Sequence, residues 1–204
     1  MSSASLHARV VTALLLSGGA GLVYETVWAR ALVRYTGSTA FSVAVILAAF
    51  MGGMAAGAWI GGRIADRSRR PLVWYAGLEG CLGLCGLSMP WAIGAMGSLY
   101  LAMASGVEAP EPVLALLRGA VFLALLAVPA LLMGATFPLA CRVVVQRHSD
   151  VQGGVSGLYA ANSAGAVVGC LATTFWLIPA FGLAAGSCVG AGLNLAAAAV
   201  ALSS

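Results

Sequence analysis

Residues 35–70 read YTGSTAFSVAVILAAFMGGMAAGAWIGGRIADRSRR. The segment 35–62 contains no Asp, Glu, Lys or Arg, whereas 63–70 holds Arg63, Asp66, Arg67, Arg69 and Arg70. A helix of roughly 20 apolar residues spans the hydrocarbon core of a bilayer. The stretch therefore reads as one complete crossing that ends in a short, charged, water-facing loop.

The same pattern extends in both directions. Segments 80–107, 119–141 and 151–204 are also free of Asp, Glu, Lys and Arg. The last is long enough for two crossings, with Pro179 and Gly182 supplying the break between them. The first apolar run starts at Val10 and is interrupted only at Glu25. Arg9 before it is reminiscent of a secretory signal, but no A-x-A-like site follows, so the segment is expected to be a retained helix. Composition agrees. The chain is 61% hydrophobic and 8% charged, with no lysine, and its mean hydropathy is +1.00. Soluble domains are about a quarter charged, so lipid is the solvent for most of this surface.

The pattern predicts an all-α integral membrane protein forming one domain over 1–204. Six transmembrane helices are expected at about 10–33, 39–63, 72–98, 113–141, 153–178 and 182–202. Arginine asymmetry sets the orientation. With the amino terminus inside, Arg9, Arg63, Arg67, Arg69, Arg70, Arg142 and Arg147 fall on the cytoplasmic side. Arg30, Arg34 and Arg118 fall opposite, near Glu108 and Glu111. Both termini are thus expected in the cytoplasm.

Small residues recur at four-residue spacing: Ala49, Gly53, Gly57 and Gly61; Gly157, Ala161, Gly165 and Gly169; Gly182, Gly186 and Gly190, followed by Asn194. Each set lies on one helix face and lets two backbones approach closely. These are packing stripes, within one bundle or between protomers, and they are expected to offer faces for protein partners in a homo- or hetero-oligomer. An internal repeat accompanies them. Ala48-Ala49-x-x-x-Gly53-x-x-x-Gly57 maps without a gap onto Ala160-Ala161-x-x-x-Gly165-x-x-x-Gly169, 112 residues later, and the same offset carries Arg30 onto Arg142. Two three-helix halves, about 9–98 and 113–204, would then enter the membrane from opposite sides, as in the inverted 3+3 repeats of many transporters.

Few residues invite chemistry. Glu25 lies about midway in an apolar helix, on the face of Gly18, Gly21 and Ala29. An intramembrane carboxylate is paired or functional; Arg118 or Arg34 is the expected partner, with proton coupling or polar-solute binding as the alternative. Glu79 poses the same choice. Asn162, beside Ser163, either bonds across helices or lines a polar cavity. Cys81, Cys85, Cys141, Cys170 and Cys188 lack C-x-x-C spacing, and His7 and His148 form no ligand cluster, so no metal is expected. Ser17-Gly18-Gly19-Ala20-Gly21 follows no strand, which argues against a nucleotide loop. No cofactor and no nucleic-acid partner are expected.

Gly62-Arg63-Ile64-Ala65-Asp66-Arg67-Ser68-Arg69-Arg70 resembles the loop motif between helices 2 and 3 of the major facilitator superfamily. Gly62, Asp66, Arg67 and Arg70 match, Ile64 stands for leucine, and Arg69 replaces the second glycine. In that family Asp66 and the arginines would latch helices together, partly through a second six-helix half. Over nearly its whole length, through GLVYETVWAR (21–30), residues 37–71, MGATFPLACR (133–142) and LYAANSAGAVVGCLATTFWLIPAFG (158–182), the chain resembles the membrane region of bacterial fused proteins. Those join major-facilitator-like helices to a spermidine-synthase-like domain. The resemblance implies one half of a major facilitator fold in a bacterial inner membrane. It also implies that aminopropyl transfer would belong to a soluble domain whose composition no stretch of this sequence has. The expected role is a non-catalytic membrane subunit or anchor docking a partner enzyme or larger complex. The alternative is a half-size transporter of a small solute such as a polyamine, acting as a homodimer.

Overall fold

A computed structural model describes residues 3–37, 39–105, 110–145 and 151–203. Glu108, Arg147 and His148 lie outside the described residues. In chain order the elements are α1 (Ser3–Thr36), α2 (Thr39–Arg67), α3 (Pro71–Ala104), α4 (Glu111–Val145), α5 (Val151–Ala172), a short π-helical segment (Thr173–Leu177) and α6 (Ile178–Leu202). Five helical stretches are long and apolar enough to cross a membrane, the last being Gly153–Leu202. The protein is a multi-pass membrane protein.

Six separate spans were expected; five stretches are counted because the last two run together. The Ile178 amide bonds back to the Thr173 carbonyl, so helical hydrogen bonding continues through the π segment. The break falls on Gly182 (φ 78°, ψ −179°), a conformation that only glycine adopts without strain. The other boundaries also follow local chemistry. Gly37 (φ 66°) returns its amide to Val33 in a left-handed cap that ends α1. Pro71 opens α3, where its missing N–H costs nothing. Pro90 lies within α3, and Pro129 and Pro138 within α4, without ending either helix.

Contacts fix the directions. Phe41 meets Gly119, Gly53 meets Ala130, and Gly61 meets Ala135, so α2 and α4 run parallel. Gly165 meets Leu15 and Gly169 meets Gly19, so α5 runs parallel to α1. Gly186 meets Val27, Gly190 meets Tyr24, and Arg9 bonds the Val200 and Ala201 carbonyls, so α6 runs antiparallel to α1. Gly19 touches both Gly165 and Leu193. The chain therefore reverses direction between α5 and α6 and returns along the same helix.

Two buried clusters stack along the bundle. One gathers Leu6, Val10, Ala65, Tyr75, Leu139, Leu158 and Ala201. The other gathers Tyr24, Trp28, Leu32, Phe50, Met89, Ile93, Phe122 and Leu126. The first lies toward the end that carries Arg9, Arg63, Arg67, Arg69, Arg70 and Arg142; Arg30, Arg34 and Arg118 belong to the opposite end. Four of the five tryptophans, Trp59, Trp74, Trp91 and Trp176, point outward. Trp74 and Trp91 are separated by about 25 Å along α3, close to the thickness of a hydrocarbon core.

Seven of the nine glycines expected on packing faces are used inside the chain. Gly53, Gly57 and Gly61 meet Ala130, Leu131 and Ala135 of α4; Gly165 and Gly169 meet Leu15 and Gly19 of α1; Gly186 and Gly190 meet Val27 and Tyr24. Of the two uses expected of these stripes, packing within one bundle is the one seen at these seven positions, where the close approach is made by the chain's own helices. Gly157 touches nothing, and Gly182 forms the bend. The α2–α4 and α1–α5 contacts correspond in detail. Gly53 faces Ala127 and Leu131, whereas Gly165 faces Leu15 and Gly19. The members of each pair (53 and 165, 15 and 127, 19 and 131) are 112 residues apart.

Candidate functional site

Glu25 and Asn162, distant in sequence, come together at one pocket. It measures about 250 Å³ and is walled by α1, α2, α4 and α5. Ser17 and Glu25 come from α1, Thr136 from α4 and Asn162 from α5; they are the polar side chains of its lining. Phe50, Met54, Met133 and Phe137 supply apolar wall. The site exists because α1 and α5 nearly touch: a Cβ on Gly18 would collide with the Asn162 carbonyl. Thr136 turns its hydroxyl onto its own helix, donating to the Met133 carbonyl at 2.7 Å.

Glu25 has no hydrogen bond or ion pair among the described residues, so the expected pairing with Arg118 or Arg34 is not found. Arg118 instead bonds Glu111 at 3.5 Å on its own helix. Arg34 follows Glu25 by nine residues, about two and a half turns, which puts it on the opposite face of α1 against α3 and α6. The pocket thus holds an unpaired carboxyl group, an amide and two hydroxyl-bearing residues, with no cation in its wall. That combination suits a ligand that donates hydrogen bonds or carries positive charge.

The pocket wall has an internal regularity. Gly21 and Met133, Leu22 and Gly134, Glu25 and Phe137, Phe50 and Asn162, and Met54 and Ala166 all line it, and each pair is 112 residues apart. Each half of the chain therefore offers the same five helix positions to one cavity. Glu25 and Asn162 are the polar choices where their counterparts are phenylalanines.

Glu79 lies elsewhere. It is fully buried where α1, α3 and α6 meet, and Asn194 donates its side-chain amide to Oε2 at 2.6 Å. Ser17 and Tyr75 stand beside the same carboxyl group, while Oε1, the Tyr75 hydroxyl and Asn194 Oδ1 make no hydrogen bond among the described residues. Ser17 is shared, since it also lines the Glu25 pocket. Asp66, Arg67 and Arg70 are exposed at the Arg-rich end. Asp66 has no partner among the described residues, so the latch expected of the 62–70 loop is not seen closed among them. The nearby contact is instead between Arg63 and Trp59, with the guanidinium 3.4 Å from the ring centroid.

Several residues at these positions were not singled out by sequence: Ser17 and Thr136 as walls of the Glu25 pocket, and Asn194 as the partner of Glu79. Asn194 had a signal, since it continues the Gly182, Gly186 and Gly190 stripe and so had to face protein. The others are common residues in helices and become visible only through packing. The described residues contain no group of three or more His, Cys, Asp or Glu able to hold a metal. Ser17–Gly21 lies inside α1. No family model, no curated protein and no solved structure matches this chain.

Proposed function

We propose that this protein is a half-size membrane transport unit that binds a small cationic or hydrogen-bond-donating solute at Glu25 and Asn162. The unit comprises six crossings arranged as an inverted 3+3 repeat, resembling one half of a major facilitator fold. The observation that carries the proposal is the pocket lined by five residue pairs of constant 112-residue offset. In inverted-repeat transporters the site lies where the halves meet, and an unpaired intramembrane carboxyl group is a functional feature by default. The reversal of direction between α5 and α6 supports six crossings. The six arginines gathered at one end support a bacterial inner-membrane orientation with both termini in the cytoplasm. A second copy, acting across the open side of the pocket, would complete the cavity as a homodimer.

The anchor role expected from the resemblance to synthase fusions requires none of this polar lining. The Gly faces that favoured it are used internally. The membership itself, a major-facilitator-like region of that fused family, fits the repeat and remains part of the proposal.

The test is uptake of labelled spermidine and putrescine by vesicles reconstituted with the purified chain. Saturable uptake that Glu25→Gln abolishes and Asn162→Leu weakens supports transport. A purified, folded protein that moves neither solute and copurifies stoichiometrically with a soluble enzyme overturns it in favour of an anchor.

A further inference from the structure

We propose that the open groove between the end of α2 and the start of α3 is a binding site for the headgroup of an anionic phospholipid. It is separate from the Glu25 pocket and lies at the Arg-rich end of the bundle. Its volume is about 500 Å³, and Trp59, Ile60, Arg63, Arg67, Ser68 and Trp74 line it. The groove exists because α2 and α3, joined only by residues 68–70, turn to different neighbours. α2 packs on α4, whereas α3 packs on α6 and α4.

The groove changes character along its length as a phospholipid does. Trp59, Arg63 and Arg67 follow one another at four-residue spacing and are all exposed. They form one outward stripe of α2, about 12 Å long. At its deep end Trp59 and Ile60 present apolar surface, and at its shallow end Arg67 and Ser68 stand where α2 stops. Trp74, 53% exposed, forms the facing wall from α3. Outward tryptophans sit at the level where headgroups meet acyl chains. A free inorganic anion would use only the basic end of such a groove, whereas a phospholipid uses both ends.

The donors are unspent. Arg63 and Arg67 have no carboxylate partner among the described residues. Asp66, the one acid of the 61–70 stretch, neither lines the groove nor pairs with either arginine. The Arg63 guanidinium is held over the Trp59 ring, 3.4 Å from its centroid, and a guanidinium stacked in this way keeps its edge donors for an oxyanion. Ser68 Oγ accepts the Arg70 amide at 3.1 Å, while its own proton has no acceptor among the described residues. Two guanidinium groups and one hydroxyl thus border the same groove, with no acidic side chain in its wall. A phosphodiester oxygen accepts from any of them. A zwitterionic headgroup brings a cation that the arginines repel.

The experiment uses the purified full chain in detergent and counts bound lipid by native mass spectrometry. The chain is titrated with phosphatidylglycerol or with phosphatidylcholine of identical acyl chains. One saturable phosphatidylglycerol site is expected, with phosphatidylcholine bound about tenfold or more weakly. Arg63→Gln combined with Arg67→Gln should lose about tenfold or more in phosphatidylglycerol affinity. Arg69→Gln combined with Arg70→Gln removes the same charge from the same loop but outside the groove, and should hold affinity within about threefold. All four arginines are exposed, so the variants should melt like the parent. Equal affinity for the two lipids overturns the proposal, as does parent-like binding by the Arg63 and Arg67 variant. An equal loss in the two double variants also overturns it, since only diffuse attraction to a basic end would remain. Displacement of phosphatidylglycerol by inorganic phosphate at matched ionic strength overturns it in favour of a free anion.

Discussion

The Asn194 side-chain amide donates a 2.6 Å hydrogen bond to Glu79 Oε2, tying α6 to α3 across 115 residues of sequence. Both side chains are shielded, at 1% and 0% exposure. Removing one partner of such a bond leaves a buried polar group unpaired, whereas replacing both with apolar groups is nearly neutral. Asn194→Leu is therefore expected to destabilise the bundle by about 1–3 kcal/mol. Glu79→Gln, which keeps an acceptor for the Asn194 amide, should cost less. The double variant Glu79→Leu with Asn194→Leu should recover much of the loss. Denaturation of the detergent-solubilised protein measures all three, and strictly additive losses in the double variant would contradict the coupling.

Close backbone approach makes a second, graded expectation. A Cβ at Gly57 would collide with the Leu131 carbonyl, and one at Gly165 with the Leu15 carbonyl, whereas Gly157 has open space. Gly57→Ala and Gly165→Ala are each expected to cost about 1–3 kcal/mol as the helices are pushed apart. Gly157→Ala should be neutral or slightly stabilising, because alanine is the better helix former. Melting temperatures of the three variants decide this; equal behaviour at Gly157 and Gly165 would contradict the packing.

The crossings were legible in the sequence because the cost of placing a charge in hydrocarbon is local. Each of the segments 35–62, 80–107 and 119–141 declares itself without reference to any other. The bend was legible for a similar reason, since Pro179 fixes its own φ and Gly182 alone nearby can adopt a positive one. What was not legible depends on register between helices. Arg118 was a plausible partner for Glu25 until α4 placed it beside Glu111. The stripe Gly53, Gly57 and Gly61 announces a close approach, yet only the fold shows that α4 makes it. The π segment at Thr173–Leu177 left no local mark, because its residues suit an α-helix equally well.

Reversal at Gly182 places Ala180 at the end of the bundle opposite both Ser68 and Ser203. With the five native cysteines replaced, Ala180→Cys should react with an impermeant thiol reagent from one side of the membrane. Ser68→Cys and Ser203→Cys should react only from the other. Labelling of intact cells against inverted vesicles reads this directly, and same-side reactivity of positions 180 and 203 would overturn the six crossings proposed. Gly182→Ala should in addition destabilise by about 1–2 kcal/mol, since its φ of 78° strains any residue with a Cβ.

Arg9 closes the opposite end of α6. Its guanidinium donates to the Val200 carbonyl at 3.3 Å, which Ser203 also meets, and to the Ala201 carbonyl at 2.8 Å, among the last carbonyls of the helix, which lack a following turn of amides. Arg9→Gln shortens this reach and removes the charge that complements the helix terminus. The expected cost is about 1 kcal/mol, with faster amide exchange confined to the last turn of α6. Exchange followed by mass spectrometry checks it, and unchanged protection of residues 197–203 would assign the end of α6 to other contacts.

Glu25 separates a structural carboxyl group from a functional one. It makes no hydrogen bond or ion pair among the described residues and stands at the wall of the α1–α2–α4–α5 pocket. A residue retained for stability loses a partner when replaced, whereas one retained for binding leaves the fold intact or relieved of an exposed charge in lipid. Glu25→Gln and Glu25→Leu are therefore expected to match or exceed the parent in thermal stability, within about 0.5 kcal/mol for the former, while losing saturable solute uptake. Melting curves and vesicle uptake on the same preparations make the comparison. A marked drop in stability for Glu25→Gln would reveal a structural partner for this carboxyl group and remove the main support for a solute site at this pocket.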